Sequence, residues 1–166
     1  MRVAARTIIG ATPPQVWDYI SAPANGPHWQ EAAVWTRLTS DGPVGLGSTM
    51  DHLGTWLRMR VPTTAVVTVF EPPIRFGYDI TSTLSRTPSL MRYELEPVPG
   101  GTRLTLSNEA QLPRWLTPFE PLLARNVQGM FERDVRRLKA AIESMSSSTM
   151  PGSPAAQPGS AAPPSP

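Results

Sequence analysis

The chain of 166 residues contains no cysteine. That absence excludes disulfides, thiolate catalysis and Cys-ligated metals together. Histidine is nearly as scarce. Only His28 and His52 occur, and neither has a second histidine or a carboxylate at metal-ligand spacing. Asp51 adjoins His52, but neighbours on a strand point to opposite faces, so the two do not form a dyad. No metal and no cofactor are therefore expected. No window approaches the ~18 apolar residues of a membrane span. The opening stretch Met1–Thr7 lacks the apolar core of a signal peptide, so a cytoplasmic protein is the default expectation.

Charge is also sparse. Fifteen basic residues, all arginine except Lys139, face thirteen acids for a net charge of +2. The basic residues are scattered along the chain, and a scattered excess does not neutralise a row of phosphates, so nucleic acid is not an expected partner. From Met145 to Pro166 there is neither a charged nor an aromatic residue. Such a stretch cannot bury enough apolar surface to offset the entropy of ordering it, so 145–166 is expected to be a disordered Pro/Ala/Ser/Gly-rich tail. Residues 1–144 then form one domain.

What remains is patterned. Val3–Ile9 is a short apolar run with β-branched residues, stopped by Gly10-Ala11-Thr12-Pro13-Pro14. Thr12 suits an N-cap with Pro13 at the first helical position, and Val16, Trp17 and Ile20 share one face of the helix that follows. A second short helix or turn fits 23–29. Between residues 31 and 112, β-rich segments alternate with Gly/Pro turn clusters, giving strands at 33–39, 48–53, 58–70, 76–82, 90–96 and 103–111. Pro62 implies an edge position or a bulge. After Pro113 the period changes. Phe119, Leu123, Val127, Phe131, Val135, Leu138 and Ile142 form one stripe of a long amphipathic helix that begins near Pro121 and ends near Ser144. Arg133, Arg136, Arg137 and Lys139 fall in its later half, as a solvated face that complements the helix dipole.

This order of elements, with its local words, resembles the SRPBCC (START/Bet v 1-like) superfamily. Ala11-Thr12-Pro13-Pro14-Gln15-Val16-Trp17 is similar to that family's turn into the first helix, and Ala22-Pro23-Ala24-Asn25 with His28-Trp29 to its second. Val44-Gly45-Leu46-Gly47, Phe70-Glu71-Pro72-Pro73, Gly100-Gly101-Thr102-Arg103, and Arg137-Leu138-Lys139 with Glu143 match further words in the same order. Within the superfamily the chain looks most like bacterial members of the polyketide cyclase/dehydrase type. Ala22 departs from the pattern where the family usually has Asp, which removes an N-cap. The resemblance implies an α+β helix-grip fold, in which a curved antiparallel sheet of about seven strands wraps a long C-terminal helix, with two short helices after strand 1. It also implies an apolar cavity between that helix and the sheet, a usual kind of small-molecule site.

Ser48, Met50 and His52 share one strand face. If that face is inward, His52 orients a ligand or acts as a general base near neutral pH; otherwise it is a structural histidine. Tyr78 and Tyr93 are flanked at i±2 by apolar residues, Phe76 and Ile80 for one and Met91 and Leu95 for the other. The hydroxyl of a buried tyrosine needs a partner, which either a ligand or a core carbonyl supplies. In aromatase/cyclase-like relatives an inward arginine or tyrosine polarises a carbonyl, which brings in Arg58, although a solvated sheet face also accounts for it. Catalytic candidates are thus His52, Tyr78, Tyr93 and Arg58. Candidate ligand contacts are His28, Trp29, Met50, His52, Trp56, Tyr78, Met91, Tyr93, Trp115, Phe119 and Met130. Three functions are compatible: binding of a hydrophobic small molecule (lipid, aromatic or polyketide-like), polyketide aromatase/cyclase or dehydratase activity in the same cavity, and a regulatory protein-interaction module with a vestigial pocket.

Overall fold

The computed structural model describes residues 1–56, 58–82, 85–112 and 114–148. Seven strands form one antiparallel sheet in the order β1-β7-β6-β5-β4-β3-β2. In chain order they are β1 (Arg2–Ile9), β2 (Ala33–Leu38), β3 (Thr49–Trp56), β4 (Met59–Glu71), β5 (Arg75–Ser82), β6 (Ser85–Val98) and β7 (Gly101–Glu109). Helices α1 (Pro13–Ile20) and α2 (Gly26–Trp29) follow β1, and α3 (Glu120–Ser148) closes the chain after a 3-10 turn at Arg114–Phe119. This is the helix-grip arrangement, an α+β fold.

Local chemistry explains the starts and stops. The side chain of Gln15 accepts hydrogen bonds from Thr12 N–H (2.9 Å) and from the Thr12 hydroxyl (3.0 Å), which fixes the entry to α1. Ala22 provides no side-chain cap for the short turn after it. Pro62 pairs with Leu53 of β3, and β4 lies between β3 and β5 and not at an edge of the sheet. At Gly100-Gly101 the chain turns with positive φ at both residues, and a Cβ on Gly101 would collide with the Ile9 carbonyl.

Helix α3 runs beside the edge strand β1 and satisfies part of its free backbone edge. Gln128 donates to Ala4 C=O (2.8 Å) and accepts from Ala4 N–H (3.2 Å). Lys139 Nζ donates to Ile8 C=O (2.7 Å), and Glu143 accepts from Gly10 N–H (2.7 Å). An edge capped this way offers no template for pairing with another chain. The charged face expected to be merely solvated therefore has structural partners, and Arg133 is bidentate to Glu31 (2.8 and 3.1 Å). Helix α3 also continues past the expected domain boundary, through Ser148. The rest of the expected tail lies outside the described residues.

The core lies between the concave sheet face and one half of α3. Phe131, Val135, Leu138 and Ile142 are each at most 3% exposed, as are Ile9, Val67, Leu95, Leu104 and Leu106. Toward the start of α3 the same face loosens. Ile80, Met91, Ala124, Val127 and Met130 are only partly buried against that core.

Candidate ligand site

Alternation along β5 and β6 turns Phe76, Tyr78, Tyr93 and Leu95 to the concave face, where all four are buried. Cross-strand pairing sets Phe76 opposite Tyr93 and Tyr78 opposite Met91. The two phenol oxygens meet at 3.0 Å. Gln30, the residue that ends α2 by turning into extended backbone, donates its side-chain amide to Tyr93 (3.0 Å) and reaches Tyr78 at 3.5 Å. Trp29 packs edge-on against Tyr93 at 6.2 Å. Burial raises the pKa of both phenols, and for Tyr93 the neighbouring Tyr78 adds to the rise. Both are neutral donors and acceptors at ordinary pH.

His52 stands beside this pair. Its ring stacks on Tyr78 at 5.8 Å and 23°, and its Nδ1 lies 3.0 Å from the hydroxyl of Thr36, its cross-strand partner on β2. Burial lowers the imidazole pKa below its ordinary value, against a smaller opposing effect of Asp51. The ring is thus neutral at pH 7. Its Nε2 is the one enclosed side-chain polar atom, among the described residues, with no hydrogen-bond partner.

Ile20, Trp29, Gln30, Thr36, Met50 and Phe76 line the space around the His52–Tyr78–Tyr93 group, with the turn at 21–26 as its cover. The space, partly open to the surface, is about 20 Å³, the room needed by one water molecule. No residue of α3 lines it, so this void sits between the short helices and the sheet. Aromatic side chains fill the middle: Trp17, Phe70, Phe76, Tyr78 and Tyr93 form a chain of ring contacts at 5.2–6.2 Å.

A polar latch joins the cover to α3. Asp134, buried on the inner side of α3, accepts from Glu31 N–H at 2.8 Å, one residue beyond Gln30. Burial pushes the Asp134 carboxyl up to about 6, held down in part by that backbone bond.

A family model described as polyketide cyclase / dehydrase and lipid transport matches residues 1–143. The chain belongs to this family. Solved structures share its fold. A protein from Thermus thermophilus aligns over 88% of this chain and 99% of its own, with TM-score 0.73 and 14% identity. A START superfamily protein from Mycobacterium smegmatis aligns over 87% and 98%, with TM-score 0.70 and 12% identity. A protein from Rhodobacter sphaeroides aligns over 87% and 93%, with TM-score 0.64 and 23% identity. Among curated proteins, no sequence matches the chain.

In this family member the sequence candidates separate into three groups. Trp29, Met50, His52, Tyr78 and Tyr93 converge on the small void. Met91 and Met130 lie half-buried on the looser part of the inner face. The others are elsewhere. His28 is exposed, because α2 is a single turn and burying Trp29 rotates its neighbour outward. Arg58 is exposed at the β3–β4 turn with φ of 66°, too far along the hairpin to face inward. Trp115 and Phe119 are 72% and 57% exposed; the break at Pro118 leaves them on a 3-10 turn ahead of the packed part of α3. The side chain of Trp56 lies outside the described residues. Among the described residues there is no cluster of three or more His, Asp or Glu able to hold a metal, and no helix long and apolar enough to cross a membrane.

Gln30, Thr36 and Asp134 join the site without having been singled out in the sequence. Asp134 had a readable signal, an acid beside Val135 inside the apolar stripe. Thr36 required the β2–β3 register, and Gln30 the path of the turn after α2.

Proposed function

We propose that this family member binds an uncharged, largely apolar small molecule that carries one hydrogen-bonding group, and that His52 Nε2 takes that group. The unpartnered Nε2 is the observation that carries the reading. A buried polar atom without a partner costs about 1–3 kcal/mol, and a ligand that satisfies it recovers that cost. The polar groups around it are neutral at pH 7, a His with lowered pKa and two phenols with raised ones. An ionised ligand group would meet no counter-charge there and would bear its desolvation unaided. Ile80 and Met91 on the sheet and Val127 and Met130 on α3, all partly buried against the core, supply apolar surface for the body of the ligand. Since the void holds little more than one water, entry requires the cover at 21–30 to move outward.

The enzyme reading, a cyclase or dehydratase using the same residues, draws on one further feature. A neutral imidazole stacked on a hydrogen-bonded phenol pair is an acid–base unit suited to proton transfer at neutral pH. The vestigial-pocket reading draws on the small void, but a pocket kept only as core has no use for an enclosed, unpartnered nitrogen.

Native mass spectrometry of protein purified from its host, followed by organic extraction, tests the proposal directly. The expected result is a stoichiometric neutral passenger. Tyr78→Phe and His52→Gln then divide the first two readings, since a binder loses affinity while an enzyme keeps affinity and loses turnover. An empty protein that gains no thermal stability from a panel of neutral aromatic, lipid and polyketide-like compounds rejects both.

A further inference from the structure

The end of the sheet that carries the start of α3 presents an unusual surface. Trp115, Phe119 and Leu122 are 72%, 57% and 69% exposed, while Leu116 between them is buried and anchors the turn. Trp115 and Phe119 lie on the 3-10 turn and Leu122 on the first turn of α3. Arg114 and Arg125 are exposed on the same segment. Neither has an ion-pair partner among the described residues. Of the acids nearby in the chain, Glu120 is taken by the Met1 amino group (2.9 Å), which leaves Glu109 at the end of β7 without an ion pair among the described residues.

We propose that this end docks on an anionic lipid surface, with Trp115, Phe119 and Leu122 entering the interface and Arg114 and Arg125 meeting headgroups. Trp, Phe and Leu flanked by arginine is the composition that interfacial segments use. Charge decides against a second copy of the chain as occupant. A two-fold contact through this segment would bring together two surfaces that each carry more arginine than free acid, whereas anionic headgroups neutralise both arginines. Docking of this end does not depend on what occupies the inner face.

Co-sedimentation of the full chain with phosphatidylcholine vesicles, and with vesicles containing about 30% phosphatidylglycerol, tests it at low and high salt. Binding is expected to the anionic vesicles and to fall with salt. Arg114→Gln with Arg125→Gln should weaken it about thirtyfold, from roughly 1 kcal/mol per cation. Trp115→Ser with Phe119→Ser should abolish it while leaving the folded state intact, as circular dichroism would show. Failure of the wild type to bind anionic vesicles overturns the proposal, as does undiminished binding by both double variants. If sedimentation instead shows a dimer that Trp115→Ser with Phe119→Ser converts to monomer, the face is an interface between copies and the lipid proposal falls.

Discussion

The two halves of α3 belong to one helix and one sequence pattern, yet they meet the sheet on different terms. From Phe131 to Ile142 the stripe is buried in one cluster with Ile9, Val67, Leu95 and Leu104. Lys139 and Glu143 fasten this half to the end of β1. From Phe119 to Met130 the stripe continues at the same spacing, but Leu123, Val127 and Met130 are half-buried and Phe119 is exposed. The difference lies in what faces the helix. The closed half belongs to the sealed core with aliphatic residues, while the open half belongs, with Ile80 and Met91, to its partly buried margin. Periodicity alone reports that a face is apolar; what covers it is a property of the opposing surface.

The sharpest test of this contrast truncates one stripe residue to alanine in each half. Leu138→Ala should cost about 3 kcal/mol, since its site is sealed and can collapse only in part. Val127→Ala, on the half-buried stretch, should cost about 1 kcal/mol or less. Urea denaturation measures both, with an unchanged m-value as the check that the same folded state is compared. Equal costs would show that the open half is as tightly packed as the closed one.

A smaller effect tests the boundary between the halves, where Asp134 sits. Its carboxyl is raised to about 6, chiefly by burial, so the folded state holds a proton that the unfolded chain has already released. That contribution to stability is greatest at low pH and is lost as pH rises toward and through 6, about 1 kcal/mol between pH 5 and pH 7. His52 acts in the opposite sense. Its pKa is lowered in the fold, so stability is lost as pH falls through the ordinary histidine range. In the wild type the two oppose each other. Asp134→Asn keeps an oxygen for Glu31 N–H and removes only the carboxyl titration. Chemical denaturation of this variant should show stability rising more steeply from pH 5 to pH 7 than in the wild type. Parallel profiles would mean that Asp134 titrates normally.

Much of the architecture was legible because it rests on local signals. The two-residue alternation at 76–82 and 90–96, the Gly100-Gly101 turn and the switch of period after Pro113 each reflect a backbone requirement that neighbouring residues reveal. Strand ends were less so: β6 runs from Ser85 through Pro88 to Val98, longer than its apolar stretch, because pairing with β5 and β7 carries polar residues into the ladder. The inner site was legible only in part. Tyr78, Tyr93 and His52 lie on alternating strands, so their shared face follows from parity. Their convergence with Gln30, and the tether of Glu31 to Asp134, depend on where a turn passes and which helix face meets it. The tether joins residues about a hundred positions apart, a contact that no local pattern encodes.

The phenol pair gives the next prediction, about 1 kcal/mol. Tyr93→Phe leaves the ring to fill its space but withdraws the oxygen that accepts from Gln30 and pairs with Tyr78. If Gln30 serves mainly to hold the cover down, the variant should be slightly less stable and exchange the amides of 26–31 faster with solvent, while those of β7 are unchanged. Uniform faster exchange would place the hydroxyl in the global core instead. The smallest effect belongs to the exposed rim. Trp115→Ser with Phe119→Ser removes two large apolar side chains that are more than half in water, so stability should move by no more than about 0.5 kcal/mol. The pair of numbers, roughly 3 kcal/mol for one leucine at the closed end and almost nothing for a tryptophan and a phenylalanine at the other, would show that the rim aromatics do not hold the fold together. A large loss for the rim variant would mean that they pack onto the domain in solution, and the surface on which lipid docking was argued would not exist.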